Sequence, residues 1–177
     1  MRIGSGTYRG RRLPSARAAR PVPGRLRASL FNALAPELPG ARVLDLCAGV
    51  GGLGLEALSR GAGHVTLVDV DPGAVEALRA WIQAADAGEL AEAVALDVLV
   101  DPMPRGPYDL VLADPPYVFW EDERGATLVG HALGVLAAAG RLVLKLPAGL
   151  PFEVQQGARI ERRRAMGAVS YVWLRRD

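Results

Sequence analysis

The chain has 177 residues, half of them apolar, a net charge of +2 at neutral pH and one cysteine, Cys47. This is the size of a single domain with a substantial core, and one cysteine excludes an internal disulfide or a cysteine-cluster metal site. No apolar run reaches the roughly eighteen residues of a membrane span, and the opening Met1-Arg2-Ile3-Gly4-Ser5 has no apolar stretch of the signal-peptide kind, so the expected compartment is the cytoplasm.

The small net charge hides an asymmetry. Residues 1–36 carry eight arginines and no acid, residues 37–158 seven basic and seventeen acidic side chains, and residues 159–177 six arginines and two acids, or +8, −10 and +4. A basic end of this kind is an electrostatic footprint for phosphate. Twenty arginines against one lysine signal a compositional bias. That bias explains arginine in place of lysine, but not a long stretch without acid.

In chain order, residues 1–13 read as a short hairpin turning at Gly4-Ser5-Gly6, with Thr7-Tyr8 opening its second strand. Three prolines in residues 14–23 suit an extended loop. Leu26, Leu30, Phe31 and Leu34 then recur at helical spacing, with Arg25, Arg27 and Asn32 facing elsewhere; Gly24 is the expected N-cap, and Pro36 and Pro39-Gly40 end the helix. From there strands and helices alternate: strand 42–46, helix 53–59, strand 64–68, a helix opened by Pro72 with Val75, Leu78, Trp81 and Ile82 on one face, strand 93–96, strand 108–113, helix 123–138 stopped by Gly140, and strand 141–146. The tail offers two β stretches, 158–164 and 169–174, with no helix between them, so they should pair antiparallel. Alternating βα units imply a mostly parallel sheet with helices on both faces.

The first strand runs into a glycine loop, Val43-Leu44-Asp45-Leu46-Cys47-Ala48-Gly49-Val50-Gly51-Gly52-Leu53-Gly54. Glycines let a ligand approach the backbone, and the carboxyl ends of the strands are where open α/β sheets bind ligands. The loop alone fits a dinucleotide equally well. However, Asp45 lies inside the strand end and no lysine follows the glycines, which suits the cationic methionine end of S-adenosylmethionine better than a pyrophosphate. Asp69, closing the second strand, is placed for ribose hydroxyls, with a plain turn residue as the alternative. Asp71 reads as a helix cap ahead of Pro72. After the third strand, Asp97 could accept an adenine amino group with Val98 against the ring, or be an ordinary loop acid. The candidate cofactor residues are therefore Asp45, Ala48, Gly49, Gly51, Asp69, Val70, Asp97 and Val98.

Asp114-Pro115-Pro116-Tyr117 ends the fourth strand, on the same sheet edge. The exocyclic amine of a base is a poor nucleophile because its lone pair is delocalised into the ring. Two acceptors, the Asp114 carboxylate and the Pro115 carbonyl, can grip its N–H groups and pull the nitrogen toward a pyramidal geometry. The prolines fix φ and remove competing donors. Tyr117 can stack on an extruded base, a contact worth roughly 1–3 kcal/mol. No metal and no covalent nucleophile is required. Cys47 is better explained as a small buried filler than as a methyl-carrying thiol. His64 and His131 stand apart from these motifs. Arg162-Arg163-Arg164 suits a phosphate contact or a solvated face.

Met1-Arg2-Ile3 with Tyr8-Arg9-Gly10-Arg11-Arg12-Leu13, then Arg20-Pro21, Arg25-Leu26-Arg27, Leu30-Phe31-Asn32 and Leu55-Glu56-Ala57-Leu58-Ser59-Arg60-Gly61-Ala62, resemble the bacterial 16S ribosomal RNA guanine-N2-methyltransferase family over nearly the whole chain. The DPPY tetrapeptide alone is shared with DNA adenine methyltransferases; the arginine-rich start together with LGLEALSRGA is more specific. The resemblance implies a Rossmann-like class I methyltransferase: a seven-stranded, mostly parallel sheet ending in an antiparallel hairpin. Residues 24–177 would form the methyltransferase domain and residues 1–23 a basic extension that contacts RNA through Arg2, Arg9, Arg11, Arg12 and Arg25. The implied donor is S-adenosylmethionine. The implied acceptor is a guanine N2 amine of 16S rRNA within a small subunit or assembly intermediate. A monomer with no membrane or metal partner is expected. Alternatives are a DNA adenine-N6 methyltransferase, for whose target-recognition insert this length leaves no room, and a non-catalytic RNA-binding assembly factor. The chain departs from the family at Val22, Gly24 and Ala28, where polar residues are usual, and at Val50, where serine is common.

Overall fold

The computed structural model describes residues 1–15, 24–154 and 156–177. Seven strands form one sheet: β1 (Arg42–Leu46), β2 (His64–Asp69), β3 (Ala91–Ala95), β4 (Tyr108–Ala113), β5 (Leu136–Pro147), β6 (Ala158–Met166) and β7 (Val169–Arg176), in the order β3-β2-β1-β4-β5-β7-β6. The first five are mutually parallel, and β7 inserts antiparallel between β5 and β6. This is the expected seven-stranded architecture. The chain winds outward from β1 through β2 to β3, then returns to the other side of β1 as β4. The carboxyl ends of β1 and β4 therefore flank the point where strand order reverses, which is where such sheets bind ligands.

Buried residues alternate between the two faces, as the period of a strand requires. Val43, Leu67, Leu112, Val143, Tyr171 and Trp173 pack with α1 (Gly24–Leu34), α2 (Gly54–Ser59) and α3 (Pro72–Ala84). Leu44, Leu46, Val111, Leu144, Val172 and Leu174 pack under α4 (Arg124–Gly134). Asp71 caps α3, accepting from Gly73 N at 2.9 Å with Pro72 at the first helical position, as the sequence suggests.

Four expectations need correction. The start of the chain folds back antiparallel, but without the expected turn at Gly4-Ser5-Gly6 or a second strand opening at Thr7-Tyr8. Its pairing is a single bridge between Arg2 and Arg12, with Ile3 N donating to Arg11 O and Leu13 N to Met1 O. Thr7 and Tyr8 instead donate their backbone N–H groups to the carbonyl and hydroxyl of Ser59 at 2.8 and 2.9 Å, so α2 takes the hydrogen bonds a second strand would have used. Ile3 and Leu13 are buried in the α1–α3 core.

In α1, Arg27 does not face outward. It is 3% exposed, because the buried stripe runs Arg27, Leu30, Phe31, Leu34 (i, i+3, i+4, i+7), while Leu26 is only partly buried. Gly24 lies within the helix rather than capping it. The helix expected to reach residue 138 ends at Gly134, and Leu136–Gly140 begin β5. Tyr108 N donates to Val135 O, and Tyr108 pairs with Leu136 before the register jumps to Leu110 opposite Arg141. Sheet pairing there outweighs the helix propensity of three alanines. The loop expected over 14–23 lies, from residue 16 onward, outside the described residues, as does Val22.

Candidate active site

Asp45 ends β1 with 1% exposure, and its Oδ2 accepts from Gly54 N at 2.7 Å across the glycine loop. A Cβ on Gly54 would come within 2.9 Å of that oxygen and 2.8 Å of Leu67, so only glycine lets the start of α2 close onto the strand end. Burial pushes the Asp45 carboxyl up to about 8, reinforced by the charges of Asp114 and Asp69 and opposed by the Gly54 bond. Asp69 is fixed by two backbone donors, Gly49 N at 2.7 Å and Asp71 N at 3.0 Å. It thus ties the end of β2 to the glycine loop while keeping further acceptor capacity. Asp97 accepts from Leu99 N at 2.9 Å, and Val98 is held from behind by His131 Nδ1, 2.8 Å from its carbonyl.

These residues converge on one cleft of about 690 Å³, within the usual range for a small-molecule site. Asp45, Ala48, Gly49, Asp69, Val70, Asp97, Val98, Asp114, Pro115 and Tyr117 all line it, as do Cys47, Val50 and Asp71. Gly51 is the exception. It turns the loop with φ +73°, its N–H donates to Ala48 O, and a Cβ there would strike Leu78 and Leu55 at 2.6 and 2.8 Å. It shapes the loop from behind rather than facing the cleft. Cys47 has φ +59°, and burial with four nearby carboxylates drives its thiol far up, so it is inert as a nucleophile.

Asp114 lies beside β5. Lys145 Nζ is 2.5 Å from its Oδ1, with side-chain exposures of 11% and 19%. Burial raises the Asp114 carboxyl, and the charge and hydrogen bond of Lys145 pull it back down. Tyr117 opens a 3-10 turn over Tyr117–Trp120 and is 47% exposed at the mouth, its ring centre 5.9 Å from Lys145 Nζ. A half-exposed aromatic ring beside a buried carboxylate offers a flat apolar platform with an acceptor at its edge. Five aspartates and a single lysine line the cleft, which therefore favours a cationic ligand.

The family model described as Conserved hypothetical protein 95 matches residues 1–174. Ribosomal RNA small subunit methyltransferase D of Escherichia coli strain K12 is 33% identical over 187 aligned positions, covering 100% of this chain and 90% of the relative. The protein of that name from Haemophilus influenzae is 35% identical, covering 73% and 70%. The chain belongs to this family of small-subunit rRNA methyltransferases. The solved structure of yhhF from Escherichia coli superposes with a TM-score of 0.84 at 33% identity, covering 100% of this chain and 98% of that one.

Two residues of this family member escaped the sequence reading. Lys145 lies in an apolar strand with no motif around it; its signal was being the one lysine among 21 basic residues. Glu56, 1% exposed on α2, gathers Arg27 Nε at 3.1 Å, Arg60 Nε at 2.8 Å and Gly4 N at 2.8 Å. Its signal was an acid inside the apolar run Leu55–Leu58. Of the arginines read as RNA contacts, Arg2, Arg9, Arg12 and Arg25 are exposed. Arg11 is half-buried, lying over the Trp81 ring and donating to Ala84 O.

Proposed function

We propose that this chain transfers a methyl group from S-adenosylmethionine to the exocyclic N2 amine of a guanine in small-subunit ribosomal RNA, in the cytoplasm. The observation that carries this reading is the meeting of an acid-lined cleft with Asp114-Pro115-Pro116-Tyr117 at its mouth. The donor set suits the cofactor. Asp69 has acceptor capacity for ribose hydroxyls, Val70 offers an exposed apolar surface, and Asp97 has a carboxylate oxygen beyond the one bonded to Leu99. Asp45, when ionised, complements the cationic end. Bound there, the cofactor supplies an electrophilic methyl group.

The chain's own residues do the rest. Tyr117 stacks on the extruded base, and Asp114 with the Pro115 carbonyl accepts the two N–H groups of the amine, turning its lone pair out of the ring toward the cleft. Arg2, Arg9, Arg11, Arg12 and Arg25 are assigned to RNA phosphates, which makes residues 1–23 a substrate-binding extension of the domain formed by 24–177. The names of the two curated relatives support ribosomal RNA over DNA. Incubation with tritiated cofactor should label guanine in small subunits and leave plasmid DNA unlabelled. Label in the adenine of DNA would overturn the reading.

A further inference from the structure

A carboxylate that grips an amine must be charged, aimed, and left with a free oxygen. Asp114 is largely buried, and that burial works against its charge. Asp45 faces it from β1, the Cys47 thiol from the glycine loop and the Tyr171 hydroxyl from β7, close enough for its charge to raise their proton affinity, and Tyr117 follows it in the chain. The charge and hydrogen bond of Lys145 from β5 offset the cost of burial. Its bond runs to Oδ1 alone, at 2.5 Å. Lys145 projects from the same row of the sheet as Tyr171, its partner on β7, and its ammonium also faces the Tyr117 ring at 5.9 Å.

The choice of side chain is informative. This chain uses arginine at twenty of its 21 basic positions, and the one lysine stands here. A guanidinium is a rigid fork that engages both oxygens of a carboxylate, whereas an ammonium is a compact point charge that can hold one.

We propose that Lys145 is a positioning residue that ties down Oδ1 of Asp114 by a single-point bond and thereby reserves Oδ2 for the substrate amine. It supplies charge to the pair and takes only one of the two acceptors. The bidentate alternative would keep the charge but set a competing donor on the oxygen meant for the substrate. The same ammonium fixes the edge of the Tyr117 platform, so amine and ring are held in one frame.

This inference rests on the methyl-transfer reading, and three proteins assayed side by side on small subunits separate the two. Wild type should methylate. K145M should lose activity by on the order of ten- to a hundredfold at neutral pH, and the acid limb of its kcat profile should move upward by about one to three pH units. K145R should keep the wild-type acid limb, because the charge is retained, and still show a kcat at least about tenfold lower, because the fork competes with the substrate amine for the second oxygen. Cofactor binding by calorimetry and the KM for subunits should stay near wild type in both variants. A K145R enzyme with wild-type kcat overturns the inference, as does a K145M profile lowered uniformly with its limb unmoved. If K145M does not fold, the K145R result decides alone. A wild type that leaves guanine unlabelled sinks the methyl-transfer reading and this inference with it.

Discussion

Asp45 holds its place with one oxygen on Gly54 N and two further carboxylates, Asp69 and Asp114, close enough to raise its proton affinity. Its carboxyl is pushed up to about 8, above the ordinary value. The unliganded fold therefore holds a proton that the unfolded chain releases, and stability falls as pH rises from the ordinary carboxylate range toward 8. Thermal melts of the unliganded protein should decline over that window in wild type and much less in Asp45→Asn. Equal slopes would show that Asp45 is ionised throughout. A cation binds the charged form, so cofactor affinity in wild type should rise over the same window and level off above 8, as calorimetry would show. Asp114→Ala is the complementary probe. Methyl transfer should fall to background while cofactor affinity stays near wild type, and retained activity would remove Asp114 from the mechanism.

At the scale of elements, Glu56 joins three pieces. It binds α2 through Arg60, α1 through Arg27 and the chain start through Gly4 N, and the Arg27 guanidinium also reaches Arg2 O. Removing one partner of a buried pair leaves an uncompensated charge, which costs about 3–5 kcal/mol. Glu56→Gln should therefore lower Tm by on the order of 10 °C, given the usual entropy of unfolding for a domain of this size. Hydrogen exchange should accelerate first in residues 1–13 and in α1. A melting temperature within a degree or two of wild type would mean that Arg27 finds water in place of Glu56. The same contacts explain why LGLEALSRGA was the more specific signature. Glu56 and Ser59 are the anchors on which the opening residues fold, whereas DPPY records only the chemistry at the cleft.

At the scale of the whole molecule, the charge asymmetry of the sequence becomes spatial. Five acids of the middle segment line the cleft, and Arg2, Arg9, Arg12 and Arg25 remain on the surface. Deleting residues 1–13 would be a poor test of RNA binding, because Ile3 and Leu13 belong to the core. Replacing Arg9 and Arg12 by glutamine changes charge without opening the core. The slope of log K for RNA against log salt should then fall by about one for each phosphate that is no longer neutralised. An unchanged slope would take these two arginines out of the interface.

The order of elements, the parallel sheet and the antiparallel end were legible in the sequence because burial periodicity and turn residues are local signals. So were the cleft residues that end strands β1, β2 and β4, since topology alone carries strand ends to one edge. What the sequence could not decide depends on partners distant along the chain. Arg27 reads as a surface arginine until Glu56 meets it, and Leu136–Gly140 read as helix until Tyr108 pairs with them. Residues 1–13 read as a self-contained hairpin until Ser59 takes their hydrogen bonds. Lys145, which no sequence motif marks, gains a role only when β5 sets it beside Asp114. In each case the deciding energy is a pairing between residues far apart in sequence, and only the folded sheet brings them together.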